Sequence, residues 1–96
     1  MAHLQILFPR STDAQIINRF LSGAVSMKHS RGFRSLQQSE GDILSPLGPP
    51  PFSKVIEISF SSQEDVMAFA QSHPLEGKDQ IKNLGIVMLI YDVSDI

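Results

Sequence analysis

The sequence predicts an α+β domain: a four-stranded antiparallel sheet with two helices on one face, in the order β-α-β-β-α-β. Three observations carry this. Segments with apolar residues at every second position stand near the start of the chain and again past its middle. Two further segments open with a capping pattern and continue with apolar residues at helical spacing. The whole is 96 residues long, enough for one small core, so residues 1–96 are read as a single domain.

In the first segment, HLQILFP, Leu4, Ile6 and Phe8 alternate with His3, Gln5 and Leu7, and Pro9 ends the run. The next segment has Thr12 followed three residues later by Gln15, a capping box. Behind it Ile16, Ile17, Phe20, Leu21, Ala24 and Val25 form one apolar stripe. Gly32 supplies a stop, and Lys28, His29, Arg31 and Arg34 then fall where cations complement the helix dipole. FRSLQQS is a weaker strand pattern, followed by a loop from Glu40 to Phe52 with Gly41, Pro46, Gly48 and the triplet Pro49, Pro50, Pro51. KVIEISF is the clearest strand, with Ile56, Ile58 and Phe60 on one face and Val55, Glu57 and Ser59 on the other. Ser61 and Glu64 cap a second helix, whose inner face carries Val66, Phe69, Ala70 and His73, and Pro74 closes it. GIVMLIYDV is a last strand, apolar enough to be buried on both faces.

This order is the ferredoxin-like pattern, in which the first and third strands are central. If Leu4, Ile6, Phe8, Ile56, Ile58 and Phe60 point under the helices, the opposite face presents His3, Gln5, Leu7, Val55, Glu57 and Ser59. Val87, Leu89 and Tyr91 join them from the last strand. Leu7, Val55, Val87 and Leu89 would then form an exposed apolar patch, which predicts a homodimer through the open sheet face, two sheets packing face to face. Glu57 and Gln5 in that half-polar layer need hydrogen-bond partners. The donor-free proline triplet suits a rim, as a fixed wall.

Composition narrows the function. A net charge of −2 with 19% charged residues gives no basic face for nucleic acid or an anionic membrane. The absence of cysteine excludes disulfides, thiolate nucleophiles and thiolate metal sites. The N-terminus reads straight into a strand, and the apolar run from Ile86 to Tyr91 is far too short to span a bilayer, so a cytoplasmic protein is expected. His3 and His29 fall at one edge of the predicted sheet and His73 at the other, so the three share no metal ion; no metal and no cofactor is expected. His3 with His29 is an acid–base candidate. Glu57, His3 and His73 are the candidate catalytic groups, and Phe20, Phe60, Phe69 and Tyr91 the candidate lining of a pocket for a small apolar or aromatic ligand. No nucleophile elbow or phosphate loop occurs.

Three stretches carry a family resemblance: ILFP at the end of the first strand, RGFRSLQQS after the first helix, and GPPPFSKVIEISFSSQEDVMAFAQS. On these the chain resembles the EthD-like family of small dimeric α/β-barrel proteins, over nearly its whole length. The last stretch looks like the family's Gly-Pro-Pro-Pro-Tyr segment, its strand ending in Phe and its Ser-capped second helix, with Glu57 at an acidic position. The resemblance implies a subunit whose sheet dimerises into a barrel and holds a small pocket. Related branches include cofactor-independent monooxygenases and isomerases acting on aromatic or polyketide compounds. Members commonly carry His-x-Pro near the end of the first helix; here the His position falls on Gly23 and the proline of the following turn on Arg31. If that histidine is the family's acid–base group, this chain lacks it. Three functions stay open. One is a small-molecule-binding or accessory protein, in degradation or biosynthesis of small organic compounds. Another is a cofactor-independent monooxygenase or isomerase using Glu57, His3 or His73. The third is a structural dimerisation module.

Overall fold

The computed structural model describes residues 1–72 and 82–96. Along them run β1 (Ala2–Pro9), α1 (Ala14–Ser26), β2 (Phe33–Gln38), β3 (Phe52–Phe60), α2 (Gln63–Ser72) and β4 (Val87–Asp92). The strands form one sheet in the order β2-β3-β1-β4, every neighbouring pair antiparallel. This is the ferredoxin-like arrangement expected, with β1 and β3 at the centre.

Alternation decides which face the helices cover. Ala2, Leu4, Ile6 and Phe8 of β1 and Ile56, Ile58 and Phe60 of β3 are all buried. Phe20 of α1 meets Phe8 edge-on, ring centroids 5.4 Å apart, and Phe69 of α2 meets Phe60 at 5.1 Å. Both helices therefore lie on one side. Each fully buried apolar side chain there contributes about 2 kcal/mol of transfer free energy.

Both helix starts fall one residue later than the capping patterns predict. Asp13 is the N-cap of α1: its carboxylate accepts the Gln15 amide at 2.8 Å, while Thr12 Oγ1 is buried with no hydrogen-bond partner. A charged acceptor at the positive end of the helix outcompetes the neighbouring hydroxyl. At α2, Ser62 Oγ accepts the Asp65 amide at 3.2 Å and donates to Asp65 Oδ2 at 3.0 Å, so Ser62 and Asp65 form the box in place of Ser61 and Glu64. Ser61 instead accepts from Arg34 Nε at 3.2 Å.

Helix α1 also stops short of Gly32. Ser26 Oγ donates back to the Gly23 carbonyl at 2.8 Å, and the chain turns at Met27. Lys28, His29, Arg31 and Arg34 consequently lie beyond the helix, with no basic residue in its last turn. Gly32 serves the turn into β2: its φ is 77°, and a Cβ there would run into the Asp65 carboxylate. Pro74, the expected stop of α2, lies outside the described residues.

Strand β4 corrects a second expectation. It is the edge strand that the fold implies, but it is not buried on both faces: Leu89 is 44% exposed on one and Ile90 39% on the other. The proline triplet enters β3 directly, and its carbonyls are used although its nitrogens cannot donate. Arg10 donates its amide to Pro51 at 3.2 Å and Nε to Pro50 at 2.7 Å, fastening the stiff segment to the turn after β1.

Two substitutions separate the candidate caps. Asp13→Ala should cost about 1 kcal/mol in urea denaturation. Thr12→Val, which removes only an unpartnered hydroxyl, should cost nothing or stabilise. The reverse ranking would restore Thr12 as the cap.

Candidate functional site

The register of the sheet sorts the open face into three rows. In the first, Ser35, Ser59, His3 and Tyr91 stand side by side across β2, β3, β1 and β4. In the second stand Gln37, Glu57, Gln5 and Leu89, and in the third Val55, Leu7 and Val87. The face is thus polar toward one end of β1 and apolar toward the other. The expected apolar patch is contiguous: the third row, joined by Leu89.

At the polar end His3 and Glu57 meet. His3 Nδ1 donates to Glu57 Oε1 at 2.6 Å, with the imidazole side chain 14% and the carboxylate side chain 30% exposed. An ionised carboxylate can only accept, so with Glu57 ionised the proton of this bond sits on Nδ1. Ser59 Oγ lies 3.3 Å from the same Nδ1. A nucleophilic triad needs the hydroxyl and the carboxylate on opposite ring nitrogens. Here both address one nitrogen, so Ser59 is held but not activated. The Tyr91 ring stacks on His3, centroids 5.6 Å apart and planes 10° from parallel. Burial, and secondarily the charge of Glu57, raise the Tyr91 hydroxyl above its usual 10.0.

The other face carries a separate space. A narrow cleft between the helices and the sheet is lined by side chains that include Ile6, Phe20, Ala24, Phe69, Ala70 and Met88, and is almost wholly apolar. The volume open to the centre of a water-sized sphere is about 10 Å³, near the minimum for one water molecule.

The sequence-predicted residues divide between these two places. His3 and Glu57 are brought together; His29 is exposed in the turn after α1 and is not the partner of His3. Phe20 and Phe69 line the cleft, whereas Phe60 is fully buried behind it, in contact with Phe33 and Phe69. Tyr91 lies on the opposite face of the sheet from these three phenylalanines, so the four do not line one space. The strand period places residue 91 with 87 and 89, away from the helices. His73 lies outside the described residues. Sequence reasoning missed Ser59 as a neighbour of His3, and Ala24 and Met88 as cleft lining. The first follows from strand register, which alternation alone does not specify. The second depends on helix placement.

Compared as a sequence, the chain matches no family model and no curated protein. Compared as a structure, it is similar to an ethyl tert-butyl ether degradation (EthD) family protein from Bacillus halodurans. Identity there is 21%, over 98% of this chain and 99% of that one, with a TM-score of 0.63. The fold is the EthD-like, ferredoxin-like one. Hydroxynitrile lyase from Passiflora edulis shares it at 20% identity, covering 99% of this chain and 95% of that one, TM-score 0.64. So does a dimeric ferredoxin-like protein from Jannaschia at 15% identity, covering 96% and 97%, TM-score 0.60. Among the described residues no helix is long and apolar enough to cross a membrane.

Tyr91 is the only tyrosine and the chain has no tryptophan, so its ionisation can be followed alone in the ultraviolet. The hydroxyl should titrate above 10.0. Glu57→Gln should lower it only part of the way back, because burial is the larger cause. A neutral tyrosine is favoured in the folded chain, so its contribution to stability is complete below its ordinary range and is lost as pH rises beyond it. An unshifted titration, or full reversal by Glu57→Gln, would contradict this account.

Proposed function

We propose that this chain is a small-molecule-binding or accessory protein, acting as a homodimer built through its open sheet face, in the degradation or biosynthesis of small organic compounds. The observation that carries the reading is a separation. Among the described residues, the apolar cleft lies on one side of the sheet, and the acid–base pair His3 and Glu57 lies on the other, hydrogen-bonded to each other. A cleft without a polar group in its lining can hold a ligand by burial but cannot move a proton. Gly23, at the position where the EthD-like pattern has histidine, agrees with binding rather than catalysis.

The ligand suited to such a cleft is small, apolar or aromatic, and without a polar group at its buried end. Admission requires a side chain to give way, and Met88 is the adaptable one: unbranched and on the edge strand. The homodimer accounts for the other face. Leu89, 44% exposed, and the adjoining row Val55, Leu7 and Val87 gain cover when a second sheet packs against them. The dimeric state in the name of the Jannaschia protein, which shares the fold, supports this arrangement.

Ligand binding and association can be tested independently. Titration with indole, followed by methyl NMR, should move the signals of Ile6, Met88 and Ala24 saturably. Ala70→Leu, which fills the cleft from its rim, should weaken binding about tenfold without loss of fold. Saturable shifts confined to Leu89 and Val87, or none at all, would reject the cleft as the site. Light scattering should give a dimer mass for the wild type and a monomer mass, or loss of fold, for Leu89→Asp, where a charge would be buried in the contact. A monomeric wild type would end the dimer reading and leave the cleft reading intact.

A further inference from the structure

We infer that the His3–Glu57 pair makes association through the open sheet face proton-linked, so that the dimer tightens as pH falls. This rests on the homodimer reading above. It goes beyond that reading in assigning the pair a regulatory role.

The charges around the pair decide the sign. Among the described residues, the titratable groups facing His3 are Glu57 from β3 and Tyr91 from β4. From β2 come Ser35 and Gln37, and from β1 itself Gln5, none of which titrates. Charged side chains elsewhere on these strands are engaged away from the pair. Lys54 Nζ donates to the Ser39 carbonyl at 2.7 Å, Arg34 Nε donates to Ser61 Oγ at 3.2 Å, and Asp92 accepts from Gln63 at 2.9 Å. Both helices lie on the far side of the sheet. Among the described residues, no cationic side chain other than His3 itself is therefore placed to neutralise Glu57.

With a neutral imidazole the hydrogen-bonded pair carries one negative charge; with one more proton it carries none. In a separate chain the difference is muted, because the Glu57 side chain is 30% exposed and water screens it. In the dimer, two such pairs enter one closed layer beside the apolar row Val55, Leu7 and Val87. Desolvating a net charge there is costly. Taking up one proton per pair removes that net charge and leaves a compact, hydrogen-bonded ion pair. The proton belongs to the pair rather than to one residue. Raised Tyr91 ionisation beside Glu57 is in keeping with a layer that disfavours negative charge.

The dimer thus binds more protons than two free chains. By linkage, association is strongest at low pH and weakens as pH rises through the range in which the pair gives up its proton. The function this serves is coupling of assembly to pH: a rise in pH loosens the barrel without any ligand.

Sedimentation equilibrium on the full chain tests this. The wild-type dissociation constant should rise at least about tenfold between about pH 6 and about pH 8. Glu57→Gln keeps a hydrogen-bond acceptor for His3 and removes the negative charge, so its profile should be flat or reversed. His3→Gln leaves the carboxylate unneutralised, so its dimer should be weak at both pH values. Circular dichroism at each pH confirms that the variants remain folded. A flat or oppositely sloped wild-type profile at a measurable dimer affinity overturns the inference alone, as does a wild-type slope that survives in Glu57→Gln. A wild type monomeric at every pH and concentration overturns the homodimer reading beneath it.

Discussion

The antiparallel register between β1 and β3 is the constraint on which the rest of the molecule depends. These are the two central strands, and their pairing sets Leu4 opposite Ile58 and Ile6 opposite Ile56 on the helix side. The same hydrogen bonds set His3 opposite Ser59 and Gln5 opposite Glu57 on the other. A slip of one residue would exchange the faces of a strand, burying His3 and Gln5 of β1 or Glu57 and Ser59 of β3 under the helices and turning its core residues outward. Core and polar pair are thus specified by one set of backbone bonds. Neither can be altered in register without the other.

From that constraint follows a division of labour across a single sheet. The helix side carries nearly all the fully buried apolar surface, with the rings of Phe8, Phe20, Phe33, Phe60 and Phe69 in edge-on or tilted contact. The cleft on that side is narrow and almost wholly apolar. The open side carries the titratable chemistry, where a carboxylate, an imidazole and a phenol occupy neighbouring positions. The same face thus sets a hydrogen-bonded pair of opposite chemistry beside an apolar row.

Local chemistry explains the departures from the sequence-level expectations. Both helix starts moved by one residue because a second capping residue stood next to the first: Asp13 beside Thr12, Ser62 beside Ser61. Where two polar residues compete for the same orphan amide, acceptor strength and backbone geometry choose between them. Helix α1 ended early because Ser26 turned back on Gly23, and a serine hydroxyl offers the backbone an alternative to continuing. The proline triplet, read as a wall, is bound through its carbonyls by Arg10, a contact between residues 40 positions apart in sequence.

By itself the sequence determined the element order, the fold class and the division of β1 and β3 residues into two faces, because side-chain periodicity is a local property of the backbone. It also marked the contiguous apolar row Val55, Leu7 and Val87 and the residues Phe20 and Phe69 of the cleft. Tertiary structure alone decided what met what. His3 found Glu57 rather than His29, since strand pairing brings together residues 54 apart in sequence. Tyr91 came to stack on His3, and β4 was left partly exposed on both faces rather than buried. Those outcomes depend on register and strand order, which arise from non-local hydrogen bonds, and no single segment's pattern of apolar residues encodes its neighbour.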